Sequence, residues 1–323
     1  MAKRSGEFEV ISRYFAPLAR DVSGSFDLSD DAAVFTPSAG HEVVVTADAL
    51  VAGVHFLADD PPGQIAAKLL RVNLSDLAAM GAAPLGYVVT AAWPAQLDDD
   101  WIGAFAAGLA ADQAVFGIGL LGGDTVATPG PLTLSLTALG QVPVGTALRR
   151  GGAESGDFVF VSGTIGDAGA GLALARDQAG TGADAAAAQF LLDRYRLPQP
   201  RLALGQLLRG VATACIDVSD GLLADLGHLV EASAVAAEVA FDSVPLSPAC
   251  RQVSDPQAAM TAGDDYELLF TVPPAAVEAV PLLARRAGVP VSRIGRITAG
   301  SGVAVRRADG SAVDFATTGY RHF

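Results

Sequence analysis

Aspartates beside small residues recur along this chain, at places where a strand or a turn is expected. They are Asp30, Asp31, Asp48, Asp76, Asp124, Asp217, Asp220, Asp264 and Asp265. Carboxylate oxygens suit Mg²⁺ rather than zinc, and Mg²⁺ usually takes one or two carboxylates together with phosphate and water oxygens. The set therefore predicts several magnesium ions bound with a polyphosphate, as phosphoryl transfer requires.

Asp76 is the acid that is hardest to explain as an ordinary structural residue. It lies in Leu70–Pro84, whose apolar residues have helical spacing while Asn73 and Asp76 share one face. An acid in a helix otherwise built to pack is costly to bury unless a cation meets it. We therefore expect Asp76 to be the centre of a metal cluster. Asn73 is expected to support the ligands without contacting the metal itself.

Asp48 lies near the end of a β-branched segment, Glu42–Leu50, which predicts a strand with Thr46 and Asp48 on one face. Gly122 and Gly123 follow a short predicted strand and would let the backbone approach a phosphate closely.

Each acid taken singly also has an ordinary structural explanation. Asp31 and Asp124 are typical turn formers, because aspartate bonds its own backbone there. Ser219 and Asp220 are typical of a helix N-cap and of a charge at a helix N-terminus. His55 is the histidine nearest the acid-bearing strand, and a half-buried structural histidine is the alternative for it.

The length of 323 residues suggests two domains. Predicted strands and helices mix without regular βαβ alternation, which favours α+β or irregular α/β domains over one doubly wound sheet. Glycine and charge cluster at Arg149–Gly156, so we predict an N-terminal domain over residues 1–148 and a C-terminal domain over residues 149–323.

The net charge of −14 disfavours a nucleic-acid substrate. The chain has no apolar run of the roughly 20 residues that a membrane span needs, and its N-terminus has no apolar region typical of a signal peptide. Cys215 and Cys250 lack metal-ligand spacing, which indicates buried thiols in a reducing compartment. We expect a cytoplasmic protein.

Several familiar site patterns are absent or incomplete. No P-loop sequence occurs, and no G-x-S-x-G supports a Ser-His-Asp site. Gly163, Gly166 and Gly169 have the wrong order for a dinucleotide-binding turn. Lysine occurs only at Lys3 and Lys68, so metals and arginines would have to offset the charge of any phosphate.

Nine motifs, in order along nearly the whole chain, resemble the thiamine-monophosphate kinase family of the AIR-synthase-like ATP-binding superfamily. They are Gly6-Glu7-Phe8, Asp30–Ala33, Thr46–Asp48, Leu50–Phe56, Val72–Ala82, Gly122–Thr125, Asp217–Leu222, Gly263–Leu268 and Gly319-Tyr320. The resemblance implies ATP-dependent phosphorylation of thiamine monophosphate to thiamine diphosphate with Mg²⁺. It also implies two AIR-synthase-like α/β domains, with metal and ATP bound in the first, and a homodimer formed largely through the N-terminal halves.

The resemblance also implies roles for individual residues. The family's metal-binding positions fall on Asp31, Thr46, Asp48, Asp76, Asp124, Asp217 and Asp220. Its nucleotide contacts fall on Gly123, Asp124, Arg150 and Ser219, and its thiamine phosphate contacts fall on His55 and Asp264. The transfer is expected to be direct, so the substrate's own phosphate oxygen attacks and neither a covalent nucleophile nor a general base is assigned.

Three positions depart from the family pattern. Ala47 stands where many relatives have a hydroxyl, and Asp264 is one methylene shorter than the common glutamate. Thr317 lies near the position where relatives often have an aromatic residue that stacks on the thiamine rings. In this chain the stacking contact is therefore either lost or made by Tyr320.

Two other functions remain open. One is another enzyme of the superfamily, of the AIR synthase or selenophosphate synthase type; the latter is disfavoured because the first cysteine is Cys215. The other is an acidic Mg²⁺- or nucleotide-binding scaffold, which would bind ATP without turnover.

Overall fold

The computed structural model describes residues 5–177 and 182–320. Contacts divide the chain into two units. The first comprises the described residues up to Leu77 together with Ala83–Gly145, and the second comprises Ala78–Ala82 together with the described residues from Thr146 onward. Both units combine helices with a β-sheet, which confirms the expected mixed α/β class.

The first unit is built around a four-stranded sheet. Its helices are α1 (Glu7–Val10), α2 (Ala16–Ala19), α3 (Pro62–Ala79, of which the last two residues belong to the second unit) and α4 (Asp99–Phe116), and its strands are β1 (His41–Val51), β2 (Ala83–Pro94), β3 (Gly119–Thr128) and β4 (Thr133–Pro143). A π-helical turn, Ile11–Phe15, joins α1 to α2, and a 3₁₀ turn covers Phe26–Leu28. The strand order is β1-β4-β2-β3, so β1 and β3 form the two edges.

The sequence of this sheet explains its two unlike faces. Alternate residues of β4, from Leu134 to Ala138, are fully buried, while their neighbours are only partly covered. Strands β2 and β3 are parallel and therefore need a crossover, which α4 supplies. Asp98 caps α4 by accepting from the Trp101 N–H, and Gly117 ends it at a positive φ of 64°, which glycine adopts without strain.

The second unit is built around a six-stranded sheet. Its helices are α5 (Asp167–Ala175), α6 (Ala185–Arg196), α7 (Leu202–Leu208), α8 (Leu222–Ser233), α9 (Cys250–Val253), α10 (Pro256–Thr261) and α11 (Val280–Ala287). Its strands are β5 (Phe158–Ser162), β6 (Ala214–Asp217), β7 (Ala236–Ala240), β8 (Leu268–Val272), β9 (Val291–Thr298) and β10 (Gly302–Arg306). The short 3₁₀ helices are Phe241–Ser243 and Pro274–Ala279.

The sheet of the second unit has the strand order β10-β7-β9-β5-β8-β6. Only β10 and β7 pair in parallel; the other neighbouring strands are antiparallel. Strand β8 is buried along its whole length, as a central strand covered on both faces should be. Because β6 and β8 are antiparallel and Asp217 pairs with Leu268, the loop that leaves β6 and the loop that enters β8 lie at the same end of the sheet.

Most predicted elements match the structure to within a few residues, but two glycine-rich segments differ. Gly122 and Gly123 were expected to follow a short strand, whereas β3 continues through them to Thr128 because it pairs with β2. The helix expected from Leu172 begins earlier, since α5 already starts at Asp167 within the glycine-rich segment. Among the described residues, no helix is both long and apolar enough to span a membrane.

Candidate active site

Three of the predicted metal ligands meet in the first unit, between β1 and α3. The Thr46 hydroxyl donates to Asp76 Oδ2 at 2.5 Å. Burial, and then the neighbouring Asp76 carboxylate, raises the pKa of Asp48 to about 6. Two carboxylates facing one another in a half-buried site form a place that a cation would stabilise.

Strand periodicity places two of these side chains on one face, and the packing of α3 brings the third to them. Thr46 and Asp48 are two residues apart on β1 and so point to the same face of the sheet. Asp76 reaches that face from α3. Asn73, one turn earlier, is fully buried; its Nδ2 donates to the Leu69 carbonyl at 2.9 Å, and its Oδ1 has no hydrogen-bond partner among the described residues. The supporting role predicted for Asn73 remains a prediction.

Asp31, Gly123 and Asp124 lie elsewhere in the first unit and line a cavity of about 320 Å³. Its other walls are largely apolar, including Phe15 and Leu120. Asp124 Oδ1 accepts from the Thr125 N–H at 2.8 Å. A cavity with carboxylates at its rim and an apolar interior can hold a charged group beside a flat ring.

Gly123 has a packing role that its sequence context did not reveal. A Cβ at this position would lie 1.9 Å from the Val89 carbonyl oxygen on the adjacent strand. A Cβ at Gly122 would meet only the Val88 side chain, at 3.7 Å. Gly123 is therefore required for the close approach of β3 to β2, whatever it contacts in a ligand.

The first unit thus divides its predicted ligands between the two edges of its sheet. Thr46 and Asp48 are on the edge strand β1, and Asp124 is on the opposite edge strand β3. With two strands between them and neighbouring strands about 4.8 Å apart, the backbones of β1 and β3 are about 14 Å apart. Within the described residues, no group of three or more histidine, cysteine or acidic side chains is arranged to hold an ion.

His55 is half-buried in the turn that follows β1. Its Nδ1 accepts from the Val51 N–H at 3.0 Å, and its own backbone N–H donates to the Val51 carbonyl at 3.0 Å. Because Nδ1 is an acceptor here, the neutral ring carries its proton on Nε2, which makes that nitrogen a hydrogen-bond donor.

In the second unit, Asp217 ends β6 and is buried, and Ser219 and Asp220 follow in the turn before α8. The structure does not use Ser219 as the N-cap of α8: Gly221 holds that position. The N–H groups of Ser219, Asp220 and Gly221 instead donate to one oxygen of Asp225. Burial, and then Asp220, raises the pKa of Asp225 to about 7.

Asp264 lies beside this turn, because its N–H donates to the Ser219 carbonyl at 2.8 Å. Asp264 and Tyr266 both have positive φ values, 70° and 51°, which are uncommon for residues with a side chain and mark a conformation imposed by the surroundings. The Tyr266 hydroxyl is 3.3 Å from Asp264 Oδ1, to which it donates.

Tyr320 joins the same group, since its N–H donates to the Asp220 carbonyl at 2.9 Å. Asp220 and Tyr320 line a cavity of about 980 Å³, together with α8 and residues 300–303. Thr317 is exposed, donates from Oγ1 to the Gly319 carbonyl at 3.0 Å and is not among the residues that line this cavity. Arg150 is exposed in the segment before β5, where its carbonyl accepts from Ser233.

A buried ionic network supports the loop that bears Asp264, and sequence reasoning missed it. The fully buried Glu267 accepts from Arg194 at 2.9 Å, from Arg201 Nε at 2.7 Å and from the Ser162 hydroxyl at 2.5 Å. The buried Asp265 carboxylate accepts from the Gly166 N–H at 2.6 Å, at the start of α5. The acidic motif Gly263–Leu268 is the one sequence signal that pointed to this place.

Comparison with known proteins identifies the family. The family described as AIR synthase related protein, N-terminal domain, matches residues 29–142, and its C-terminal counterpart matches residues 154–307. A thiamine-monophosphate kinase from Caulobacter vibrioides is 46% identical over 305 residues, covering 92% of this chain and 85% of the relative. The chain belongs to the thiamine-monophosphate kinase family.

Solved structures of the family agree. The thiamine-monophosphate kinase from Stenotrophomonas maltophilia K279a is 44% identical and matches 95% of this chain and 98% of its own, with a TM-score of 0.84. AaThiL complexed with AMPPCP and TMP is 30% identical, covers 98% of this chain and 97% of its own, and has a TM-score of 0.76. The family resemblance expected from the motifs is confirmed.

Proposed function

We propose that this protein transfers the γ-phosphoryl group of ATP directly to thiamine monophosphate, forming thiamine diphosphate. The observation that carries the proposal is the facing pair Asp48 and Asp76, in a chain whose relatives are thiamine-monophosphate kinases. The family member solved with AMPPCP and TMP supports an ATP-like nucleotide and a thiamine phosphate as the two substrates.

Mg²⁺ fits the residues that are present. Asp48 and Asp76 offer carboxylate oxygens, Thr46 adds a hydroxyl, and the remaining coordination positions suit phosphate and water oxygens. The other proposed ligands are Asp31, Asp124, Asp217 and Asp220. When bound, the ions supply positive charge that offsets the charge of the polyphosphate.

The protein's own groups position the two substrates. Gly123, Asp124, Arg150 and Ser219 are proposed to contact the nucleotide; the apolar walls beside Asp31 and Asp124 suit a flat base. The guanidinium of Arg150 offsets phosphate charge in a chain nearly devoid of lysine. The acceptor phosphate is ionised near neutral pH, so the chain need only orient it, and no general base is assigned.

Thiamine monophosphate is proposed to contact His55, Asp264 and the C-terminal segment. The Nε2–H of His55 can donate to a phosphate oxygen. A cationic heterocycle suits the cavity beside Tyr320, where an aromatic ring and the Asp220 carboxylate meet. We propose Tyr320 for the stacking contact near Thr317, because Tyr320 lines the cavity.

We also propose a homodimer that is formed through the N-terminal sheet. Val43, Val45 and Val126 are 40, 60 and 47% exposed, which leaves apolar surface on the two edge strands. A second copy that brings its Asp124 beside Asp48 would unite ligands on strands that are about 14 Å apart in one chain.

A mixing experiment tests the shared site. Asp48→Asn and Asp124→Asn should each be inactive alone. If each site needs both chains, coexpressing the two variants should restore roughly a quarter of native activity, since half of the dimers would carry one intact site. Complementation that fails although mixed dimers form would contradict the shared site.

A boundary at residues 148/149 and a cytoplasmic location complete the proposal. The contact-defined units change near this boundary, at Gly145 and Thr146. The location is supported by Cys215 and Cys250, which are buried free thiols.

Asp76→Asn tests the assigned chemistry. Turnover should fall by well over about tenfold, because transfer depends on charge offset at the reacting phosphates, while the unfolding midpoint should not fall. Asp112→Asn is the matched control: Asp112 is buried and pairs with Arg71 at 2.6 Å, so this variant should lose stability but keep its turnover. If Asp76→Asn merely unfolds the protein, Asp76 is structural.

A further inference from the structure

In the turn Val218–Gly221 every backbone N–H already has an acceptor, and every carbonyl already accepts one hydrogen bond. Four residues present eight N–H and C=O groups. The N–H of Val218 donates to the Glu267 carbonyl at 2.8 Å, and the Gly221 carbonyl accepts from the Asp225 N–H at 3.0 Å. The remaining N–H groups all donate to Asp225, and the remaining carbonyls all accept from other segments of the site.

Asp225 is the centre of this arrangement. Its Oδ2 accepts from the N–H groups of Ser219, Asp220 and Gly221 at 3.0, 3.0 and 3.2 Å. Three successive N–H groups converging on one anion form the kind of concavity that elsewhere binds phosphate. Here the protein's own carboxylate fills it, so these three N–H groups are already engaged and do not offer a phosphate site.

Helix capping alone does not account for Asp225. Asp225 is in the first turn of α8, where an acid is stabilised by the helix dipole, and one bond to the Gly221 N–H would serve the cap. The N–H groups of Ser219 and Asp220 precede the helix, so the two further bonds hold the turn itself. Burial to 2% exposure excludes water as a competing partner for the carboxylate.

The other substrate contacts depend on the same turn. The Ser219 carbonyl accepts from the Asp264 N–H, and the Asp220 carbonyl accepts from the Tyr320 N–H, at 2.8 and 2.9 Å. A shift of the turn would therefore displace Asp264 and Tyr320 along with Ser219 and Asp220.

We propose that Asp225 is a positioning residue, which sets the geometry of the nucleotide and thiamine phosphate contacts together by holding three N–H groups of the turn. It touches neither substrate. The expected changes in KM and kcat/KM rest on the proposed function. The expected loss of order in the turn does not.

The test compares Asp225→Asn and Asp225→Ala with the native chain. The amide of Asp225→Asn keeps one oxygen but puts an NH₂ donor in place of the other, which weakens the hold on the three N–H groups, and alanine removes the acceptor. We expect the half-saturating concentrations of both MgATP and thiamine monophosphate to rise at least about fivefold in Asp225→Asn. We expect kcat/KM to fall by about 100-fold or more in Asp225→Ala, as expected for contacts misplaced by about 1 Å. Simple loss of folded protein would lower apparent kcat and leave KM unchanged.

Asp157→Asn is the matched control. Asp157 is also buried in the second unit and its Oδ2 accepts from the Glu154 N–H at 3.0 Å and from the Thr213 hydroxyl at 2.6 Å. It should leave both KM values within about twofold of native, since its partners are outside the proposed contacts. Impairment equal to that of Asp225→Asn would overturn the proposal.

Hydrogen exchange tests the role of Asp225 independently of enzymatic activity. In Asp225→Asn, the N–H groups of Ser219, Asp220 and Gly221 should exchange at least about tenfold faster while the sheet strands keep native protection. Native exchange rates at the turn, or native KM values, in Asp225→Asn would overturn the proposal. This holds even if Asp225→Ala fails to fold, because Asp225→Asn alone decides the outcome. A native chain without thiamine monophosphate turnover would instead reject the proposed function and leave the exchange result to decide the role of Asp225.

Discussion

Glu267→Gln should be among the most destabilising single-atom changes in the second unit. The carboxylate is fully buried and meets two arginines: Arg194 at 2.9 Å and Arg201 Nε at 2.7 Å, with a second Arg201 bond to the other oxygen. Glutamine keeps the shape but places an NH₂ group where Oε2 accepts from Arg201 or where Oε1 accepts from Arg194. One donor then faces another donor, and two largely buried guanidinium groups lose their shared anion.

The expected loss follows from burial rather than from the number of ion pairs. Breaking a buried charge pair by removing one partner costs about 3–5 kcal/mol, because the remaining charge is left uncompensated. Glu238 provides the matched comparison: it also meets two arginines, Arg296 at 3.2 Å and Arg306 at 3.3 Å, but these are 60 and 48% exposed. Exposed pairs contribute about 0.2–1 kcal/mol, so Glu238→Gln should be nearly neutral.

Equilibrium unfolding in urea of the native chain and both variants measures the difference directly. We expect Glu267→Gln to lower the free energy of unfolding by at least about 3 kcal/mol and Glu238→Gln by at most about 1 kcal/mol. Equal losses in the two variants, or a loss below about 1 kcal/mol in Glu267→Gln, would refute the reasoning from burial.

Two further predictions concern the packing of β3 and the buried acid at α5. Gly123→Ala places a Cβ 1.9 Å from the Val89 carbonyl oxygen and should cost about 1–3 kcal/mol in urea unfolding, whereas Gly122→Ala should cost about 0.5 kcal/mol or less; equal costs would contradict the packing argument. Burial raises the pKa of Asp265 from 3.8 to about 8, so between these values the folded state keeps a proton that the unfolded state releases, and stability falls as pH rises, by up to about 1.4 kcal/mol per pH unit. Asp265→Asn should reduce the slope between about pH 5 and pH 8 by up to about 1.4 kcal/mol per pH unit, while the raised pKa values of Asp48 and Asp225 keep their own part of it. An unchanged slope would show that Asp265 does not contribute to it.

The parts of the site that follow from local periodicity could be predicted from the sequence. A strand of period two put Thr46 and Asp48 on one face, and the helical pattern around Asp76 marked an acid that packing alone did not explain. The contact at 2.5 Å between the Thr46 hydroxyl and Asp76 depends in addition on how α3 packs beside β1, which periodicity alone does not give.

The parts that depend on tertiary pairing could not be predicted. Arg194 and Arg201 precede Glu267 by 73 and 66 residues, and no short-range pattern links them. The sequence did not single out Asp225, because its partners are backbone N–H groups, which every sequence contains. Gly123 suggested a phosphate turn, while pairing with β2 extended the strand through it.

The sequence also did not predict that β1 and β3 lie at opposite edges of the sheet. The motifs of Asp48 and Asp124 follow one another along the chain, but the strand order puts them on opposite edges of one sheet. In the proposed homodimer, a second copy would bring its Asp124 beside Asp48, and the coexpression experiment tests this arrangement.

The central claim is tested most directly by incubating the purified full chain with Mg²⁺, γ-labelled ATP and thiamine monophosphate. The account predicts thiamine diphosphate that carries the label, formed in step with ADP. Product from aminoimidazole-type or selenide substrates instead, or ATP bound without turnover, would contradict it.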